Sequence, residues 1–361
     1  MSRKITPLSK LYGKANPIDS VKQRHYQFGG DKKNVALLEK CSTLWENLYA
    51  FRQERARCKR YVYGDQWGDY ITHKGITMTE ADYIKSQGNV PLKNNLIRRL
   101  VNNVTGLYTK SETEPTAKAR DRDEQRLGEM MTTTLQCNWQ VNKMQVILSL
   151  LIEDYLIGGG IFCRESVDVR NGRKDIFTTV PNPNYMFFDS TMNDPRFWDV
   201  SLIGQIHDLT FNELCHKFST SEDSFQKLYE IYKHQANDKG ANVEDITSRH
   251  DEGRMSFYSP QDESLCRVYE VWTKEIKPRY RCHDPETGEL YRIEVEELKG
   301  IEAENQARLK MAKEYGIPDQ EVPLIRYEYI IDYYWFFQYL TPWGDVLLEG
   351  ETPFYHESHP Y

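Results

Sequence analysis

The chain has 361 residues, of which 39% are hydrophobic and 28% charged, with 47 Lys and Arg against 54 Asp and Glu. It is long enough for two or three cores, and no run approaches the eighteen or so apolar residues that a membrane helix needs. The charge is unevenly placed, with 24 basic and 14 acidic residues in 1–126 but 23 basic and 40 acidic in the remainder. That asymmetry points to unlike surfaces that face different partners or each other, without being basic enough in either half to establish nucleic-acid binding.

The N-terminus, MSRKITPLSKLYGKANP, is polar and basic with no apolar centre, so it does not read as a secretory signal, and residues 1–34 are expected to form an arm. Residues 35–67 carry a helical pattern. Leu37, Cys41, Leu44, Leu48, Phe51, Cys58 and Val62 recur at spacings of three and four, interrupted by Arg55, and predict one long helix packed along an apolar stripe. Its opposite face holds Arg52, Arg55, Arg57, Lys59 and Arg60 against Glu54, which reads as a solvated basic face. The helix should end at Gly64 and Asp65.

The stretch from Gly68 to Pro91 is polar and glycine-bearing and reads as an extended loop. Leu96, Leu100, Val104 and Leu107 then predict a helix docked by a narrow apolar face, with Arg98 and Arg99 opposite. A charged loop leads to a helix over about 120–139, and Asn142 can cap a further helix that stops at Gly158. Beyond the glycines the period changes. Two β-rich runs flank Asn171-Gly172, a hairpin signal, and a turn-rich connector with several prolines follows. SLIGQIHDL reads as a strand, and Thr210 with Glu213 makes a capping box for the next helix. Residues 236–263 are polar and weakly patterned, hence a surface excursion.

From 266 the pattern is strand, hairpin, helix and strand, a small α+β module whose hairpin turns at Asp284-Pro285 and Gly288. Residues 327–339 contain eight aromatics on both strand faces with only Arg326 nearby as a cation. Such a strand suits burial on both sides, or a half-buried place at a subunit interface, better than a platform for stacking bases.

Few groups invite chemistry. The triple glycine 158–160 follows a helix instead of preceding one and has no Lys after it, so it is not a phosphate loop. No GxSxG or HExxH motif is present. The cysteines at 41, 58, 137, 163, 215, 266 and 282 form no CxxC pair and are odd in number, which argues for reduced thiols. His356 and His359 sit in a turn-like, proline-bearing segment, and Asp284, Glu286 and Glu289 belong to a hairpin turn that favours acids for local reasons, so no metal and no cofactor is expected.

The order of several short segments carries more information than any one of them. YVYGDQW at 61–67, PLKNNLIRRLVNNVTG at 91–106, LIEDYLIGGGIFCRESVDV, VPNPNYMFFDSTMNDPRFWDV, TFNELCHKFS, VYEVWTKE, the DPETGE hairpin and GDVLLEGETPFYHESHPY together resemble the portal proteins of tailed bacteriophages, especially the large portals of short-tailed phages. The resemblance covers most of residues 35–361. Its motif residues are Tyr63, Gly64, Asp65, Gln66, Trp67, Asn94 and Asn95.

The resemblance implies an α+β, portal-like fold: a helical wing with mixed β segments over 35–265, a small α+β stem or clip-like module over 266–340, and the start of a further part at 341–361. It implies a structural protein without enzymatic activity, a homo-oligomer built as a twelve-subunit ring at one capsid vertex, through which double-stranded DNA passes without sequence specificity during packaging and ejection. Its partners would be the major capsid protein, the terminase large subunit and a head-to-tail adaptor. Its place would be the virion, with assembly in the host cytoplasm and no membrane contact. Within the clip-like module, Arg279, Tyr280, Arg281, Asp284 and Glu286 are expected to be exposed partner contacts. Portals of this branch are longer than this chain, which implies a fragment or a truncated relative. The alternatives are another head-to-tail connector component, or a metal-dependent nuclease built on the acidic turn and the basic helix.

Overall fold

A computed structural model describes residues 24–27, 32–110, 114–119, 122–170, 173–189, 191, 193–194, 198–237, 256–262, 264–315, 318 and 322–352. Most of the expected arm 1–34, the Asn171-Gly172 turn, Gly316 and the two C-terminal histidines lie outside the described residues, as do most residues of the 236–263 excursion; of the arm, 24–27 form a strand and 32–34 open the first helix.

The fold is α+β, with helices on both faces of a seven-stranded antiparallel sheet and a separate helical unit beside it. In chain order the strands are β1 (Arg24–Gln27), β2 (Tyr70–His73), β3 (Ile76–Thr79), β4 (Arg164–Arg170), β5 (Arg173–Thr179), β6 (Met186–Phe188), β7 (Leu202–Leu209), β8 (Cys266–His283), β9 (Leu290–Glu294), β10 (Arg326–Leu340) and β11 (Val346–Glu351). The helices are α1 (Lys32–Asn47), α2 (Tyr49–Val62), α3 (Glu80–Ser86), α4 (Leu96–Lys110), α5 (Gln125–Val141), α6 (Met144–Gly158), α7 (Phe211–Phe218), α8 (Glu222–Asn237) and α9 (Leu298–Glu314). The sheet order is β1-β11-β10-β8-β7-β6, with β9 pairing the far end of β8.

Residues 266–272 of β8 are all buried, as befits a central strand covered on both faces. On one face α1 contributes Leu38, Cys41, Leu44 and Trp45, which pack on Phe187, Leu202, Tyr269 and Leu340. On the other, Leu214, Phe218, Leu228 and Tyr232 from α7 and α8 meet Val268, Trp272, Phe337 and Tyr339. The capping box at Thr210 and Glu213 opens α7 with both reciprocal bonds in place. Gly204 of β7 is where the sheet and Phe187 come closest. A Cβ there would lie 2.4 Å from both the Glu270 carbonyl oxygen and the Phe187 ring.

The long N-terminal helix is in fact two. The Trp45 carbonyl accepts from the Leu48 N–H at 3.2 Å and from Arg52 Nη1 at 2.5 Å, and the chain turns between α1 and α2 at Leu48. The guanidinium of Arg52 lies 3.6 Å from the centre of the Trp45 ring, so this arginine fills the break. The polar stretch after Gly68 is also structured. It folds as the β2–β3 hairpin and α3, the latter opened by Thr79, whose hydroxyl accepts from the Asp82 N–H. Local turn and cap chemistry suffices there without an apolar core. The connector after Pro181 contributes β6 to the sheet edge.

The helical unit of α2, α4, α5 and α6 has a small core of Val62, Val101 and Ile157. Here the predicted face of α4 is reversed. Leu96, Leu100, Val104 and Leu107 all face solvent, and the helix docks through Val101 instead. Asn142 does not cap α6, which starts after Lys143 in the left-handed region; its amide instead reaches the Ile176 carbonyl and accepts from the Thr178 N–H of β5. α6 ends at Gly158 as expected, and Gly159, at φ +70, caps it.

β8 and β10 are longer than the sheet they cross. All 15 residues of β10 stay in register with β8, from Leu340↔Tyr269 in the core to Arg326↔His283 outside it, so one ribbon serves both the sheet and the outer module.

Candidate functional site

Two constellations follow from the sequence, the YGDQW junction and the outer end of the ribbon. At the junction, Gly64 takes φ +95 and lets the chain leave α2. The Asp65 N–H donates to the Arg60 carbonyl at 2.8 Å, and Trp67 Nε1 donates to the Leu92 carbonyl at 3.1 Å. Asn95 works in both directions. Its Nδ2 donates to the Val62 carbonyl at 2.6 Å, closing the end of α2, while its Oδ1 accepts from the Arg98 N–H at 3.0 Å and caps α4. The Asn94 carbonyl accepts from the Leu96 N–H, and Gln66 is half-buried in the turn. Tyr63 is exposed, with the Arg98 guanidinium 5.3 Å from its ring centre and its hydroxyl 3.4 Å from Glu153. Thus the motif residues of 63–67 and 94–95 are brought together, as the clasp that joins α2 to α4.

The basic face of α2 is only partly solvated: Arg52 and Arg55 are buried, and Arg57, Lys59 and Arg60 stay partly exposed but are paired. Arg55 is only 2% exposed and pairs with Asp154 of α6 at 2.9 Å, which Lys59 also reaches at 3.4 Å. Arg57 and Arg60 converge on Asp69 at 2.7 and 2.5 Å, and the Tyr61 hydroxyl donates to the same carboxylate. The Tyr61 bond and the two guanidinium contacts hold the Asp69 carboxyl below the usual range. Burial lowers the Arg52 guanidinium to about 10.

In the outer module, Arg281 pairs with Glu328 at 2.7 Å on the surface, and Arg279 reaches Glu294 and Asp332 at 3.4 Å each. Tyr280 sits edge-on to Tyr327 and Tyr329. Glu286 is exposed. Asp284 is not: it is 5% exposed, a correction to its expected place at the surface. Both of its oxygens accept from Arg308 of α9, at 2.8 and 2.6 Å, which brings its pKa down to about 2. The acidic turn is therefore closed by an internal cation. Among the described residues, no group of three or more His, Cys, Asp or Glu is arranged to hold a metal ion. Nor is any helix among them long and apolar enough to cross a membrane.

The ribbon is two-faced. One face carries a lattice of ion pairs, including Lys277 with Glu294 and Glu351, and Arg292 with Asp332. The other carries Ile276, Pro278 and Tyr280 across from Tyr333, Ile331 and Tyr329. Of the eight aromatics, Trp335, Phe337 and Tyr339 are buried in the sheet, whereas Tyr327, Tyr329 and Tyr333 face solvent.

A third constellation has no signal in the sequence. Glu270 at the centre of β8 is fully buried, and its carboxylate accepts from Arg164 of β4, His207 of β7 and Trp272 at 2.7, 2.7 and 2.9 Å. Burial alone would push this carboxyl up, but the Arg164 charge and the His207 bond outweigh it and hold it ionised. Burial keeps the His207 ring below its ordinary value, against the pull of Glu270. This network ties the β4–β5 hairpin to the sheet. Its members are far apart in sequence, which is why no motif announces them.

The family model of the phage P22-like portal protein matches residues 39–344, from α1 through the ribbon to the turn before β11. The chain belongs to that family. Among the curated proteins, none matches it. The matched range includes the YGDQW clasp, the Glu270 network and the whole outer module.

Proposed function

We propose that this chain is the portal subunit of a tailed bacteriophage. In this reading copies of it form a ring-shaped channel at one capsid vertex, through which double-stranded DNA enters and leaves. The observation that carries the reading is the portal-family match across 39–344. Two further features agree with it. A ring of identical subunits needs unlike surfaces that match, and the basic front and acidic back of the sequence supply such surfaces. DNA that slides must not be gripped, and Arg55, Arg57 and Arg60 of α2 are engaged by Asp154 and Asp69.

In the same reading residues 35–265 form the wing that meets the capsid shell. Residues 266–340 present the module on which the terminase large subunit and then the head-to-tail adaptor dock, through exposed groups such as Arg281 and Glu286. The subunit has a structural role, and hydrolysis of ATP belongs to the docked motor. Electron-microscopy class averages of the purified protein should show closed rings with an axial channel. Particles without a channel would favour another head-to-tail connector component. Plasmid DNA incubated with the protein and Mg²⁺ should remain intact, because the acidic turn of the alternative nuclease reading is already held by Arg308.

A further inference from the structure

α4 is an amphipathic helix turned inside out. Leu96, Leu100 and Leu107 are 59%, 65% and 72% exposed, and they form one stripe along its outer side. An apolar stripe of this length on a monomer marks a contact surface. The helix has no acidic residue, and of its cations Arg99 and Lys110 lie towards one edge of the stripe, whereas Arg98 is turned away from it onto the Tyr63 ring.

A second bare apolar surface lies on the ribbon. Ile276, Tyr329, Ile331 and Tyr333 are 62%, 56%, 65% and 56% exposed and share one face of β8 and β10. α9 covers the outer end of that face through Ile301 and Leu298 and leaves this middle portion open. Lys274 stands beside this middle portion, 5.1 Å from the centre of the Tyr333 ring, and the acidic charge lies towards the outer end. Residues 284–304 hold eight acidic side chains against Arg292 and Lys299, and of the eight Asp284, Glu286 and Glu304 pair with Arg308 and Glu294 with Lys277 and Arg279. The ribbon's other face is neutralised within the chain by its ion pairs, so the open face is the one left for a partner.

We propose that these two surfaces meet between neighbouring copies: the α4 stripe of one subunit seats on the open face of the β8–β10 ribbon of the next. Apolar side chains match apolar side chains, and the basic rim of α4 faces the acidic segment 284–304. The contact is heterologous, since each copy offers a different surface to each neighbour, which is the type that generates rings. Opposite rims fix the order of the two partners and speed their encounter. The inference rests on the ring reading given above and names the surfaces that would build the ring.

Assembly of the full chain, followed by sedimentation velocity, tests it. Leu100→Lys and Ile331→Lys should each raise the concentration needed for assembly at least about tenfold, since each places a charge in an apolar contact. Ile76→Lys, at an equally exposed isoleucine of β3, should assemble as the parent does. Because all three sites are exposed, circular dichroism and thermal midpoint should not change. In a second measurement, a chain with Leu100→Cys is mixed with a chain carrying Ile331→Cys and treated with a short bismaleimide. Peptide mass spectrometry should then find position 100 of one chain joined to position 331 of the other. Rings that form normally in both lysine variants and give no such peptide would overturn the proposed contact and leave the ring reading intact. A parent chain that stays monomeric at every concentration would overturn both.

Discussion

Asp284 and Arg308 are separated by α9's first turns and the β9 strand, yet their bidentate pair closes the outer module. Removing the cation leaves a carboxylate with little water, so Arg308→Ala should destabilise the protein by about 3 kcal/mol in denaturant unfolding. The pair also sets a pH dependence. The carboxyl ionises at about 2 in the folded protein, below its ordinary value, so its contribution is complete above roughly pH 4 and is lost as pH falls towards 2. Asp284→Asn should lower stability at neutral pH and flatten the curve in that window. An unchanged slope between pH 4 and pH 2 would show that the pair is not what titrates there. The turn that holds Asp284 is legible in DPETGE, because Asp, Pro and Gly are chosen there by local geometry. Its partner is not legible, since nothing in the spacing of α9 distinguishes Arg308 from the exposed Lys299, Lys310 and Lys313 of that helix. The same holds for Glu270, whose partners Arg164 and His207 come from two other strands.

Elements were readable where their signals are local and misread where tertiary contacts decide. The capping box before α7, the glycine that ends α6 and the strands of the ribbon follow from adjacent residues. The break at Leu48 does not, because it depends on Arg52 folding back over Trp45 within an otherwise continuous apolar stripe. The outward face of α4 is the opposite case: its period is correct, but period alone does not say whether an apolar stripe meets a core or a neighbour. At the start of that helix Asn95 makes two bonds, one of them a cap. Asn95→Ala should cost roughly 1 to 2 kcal/mol, and faster hydrogen exchange should appear in the first turn of α4 and the last turn of α2 together. Exchange confined to α4 would mean that the clasp to Val62 contributes nothing. In the sheet, Gly204→Ala pushes a methyl group into the β8 backbone and the Phe187 ring and should cost about 3 kcal/mol in thermal or denaturant unfolding.

Across the whole molecule, the charge asymmetry of the sequence is real but is partly cancelled by folding. Asp69 holds both Arg57 and Arg60, its single charge offsetting one of the two, with Asp65 3.9 Å from Arg60. Asp69→Asn should release both, and the variant should bind double-stranded DNA more tightly at low salt, with a dependence of log affinity on log salt steeper by roughly 2. Equal salt slopes for parent and variant would show that these arginines point away from any path that DNA can follow.

The ribbon of β8 and β10 has a mechanical meaning as well. Its hydrogen bonds lie across the strands, and the two strands remain paired from the tip of the outer module to the middle of the buried sheet. A force pulling the tip along the ribbon axis is therefore shared in shear by the whole ladder, with no single bond at its front to peel first. The outer module is joined to the sheet as the blade of a tool is joined to its tang, by the same piece of material passing from one into the other, and a push at its tip arrives in the core undivided.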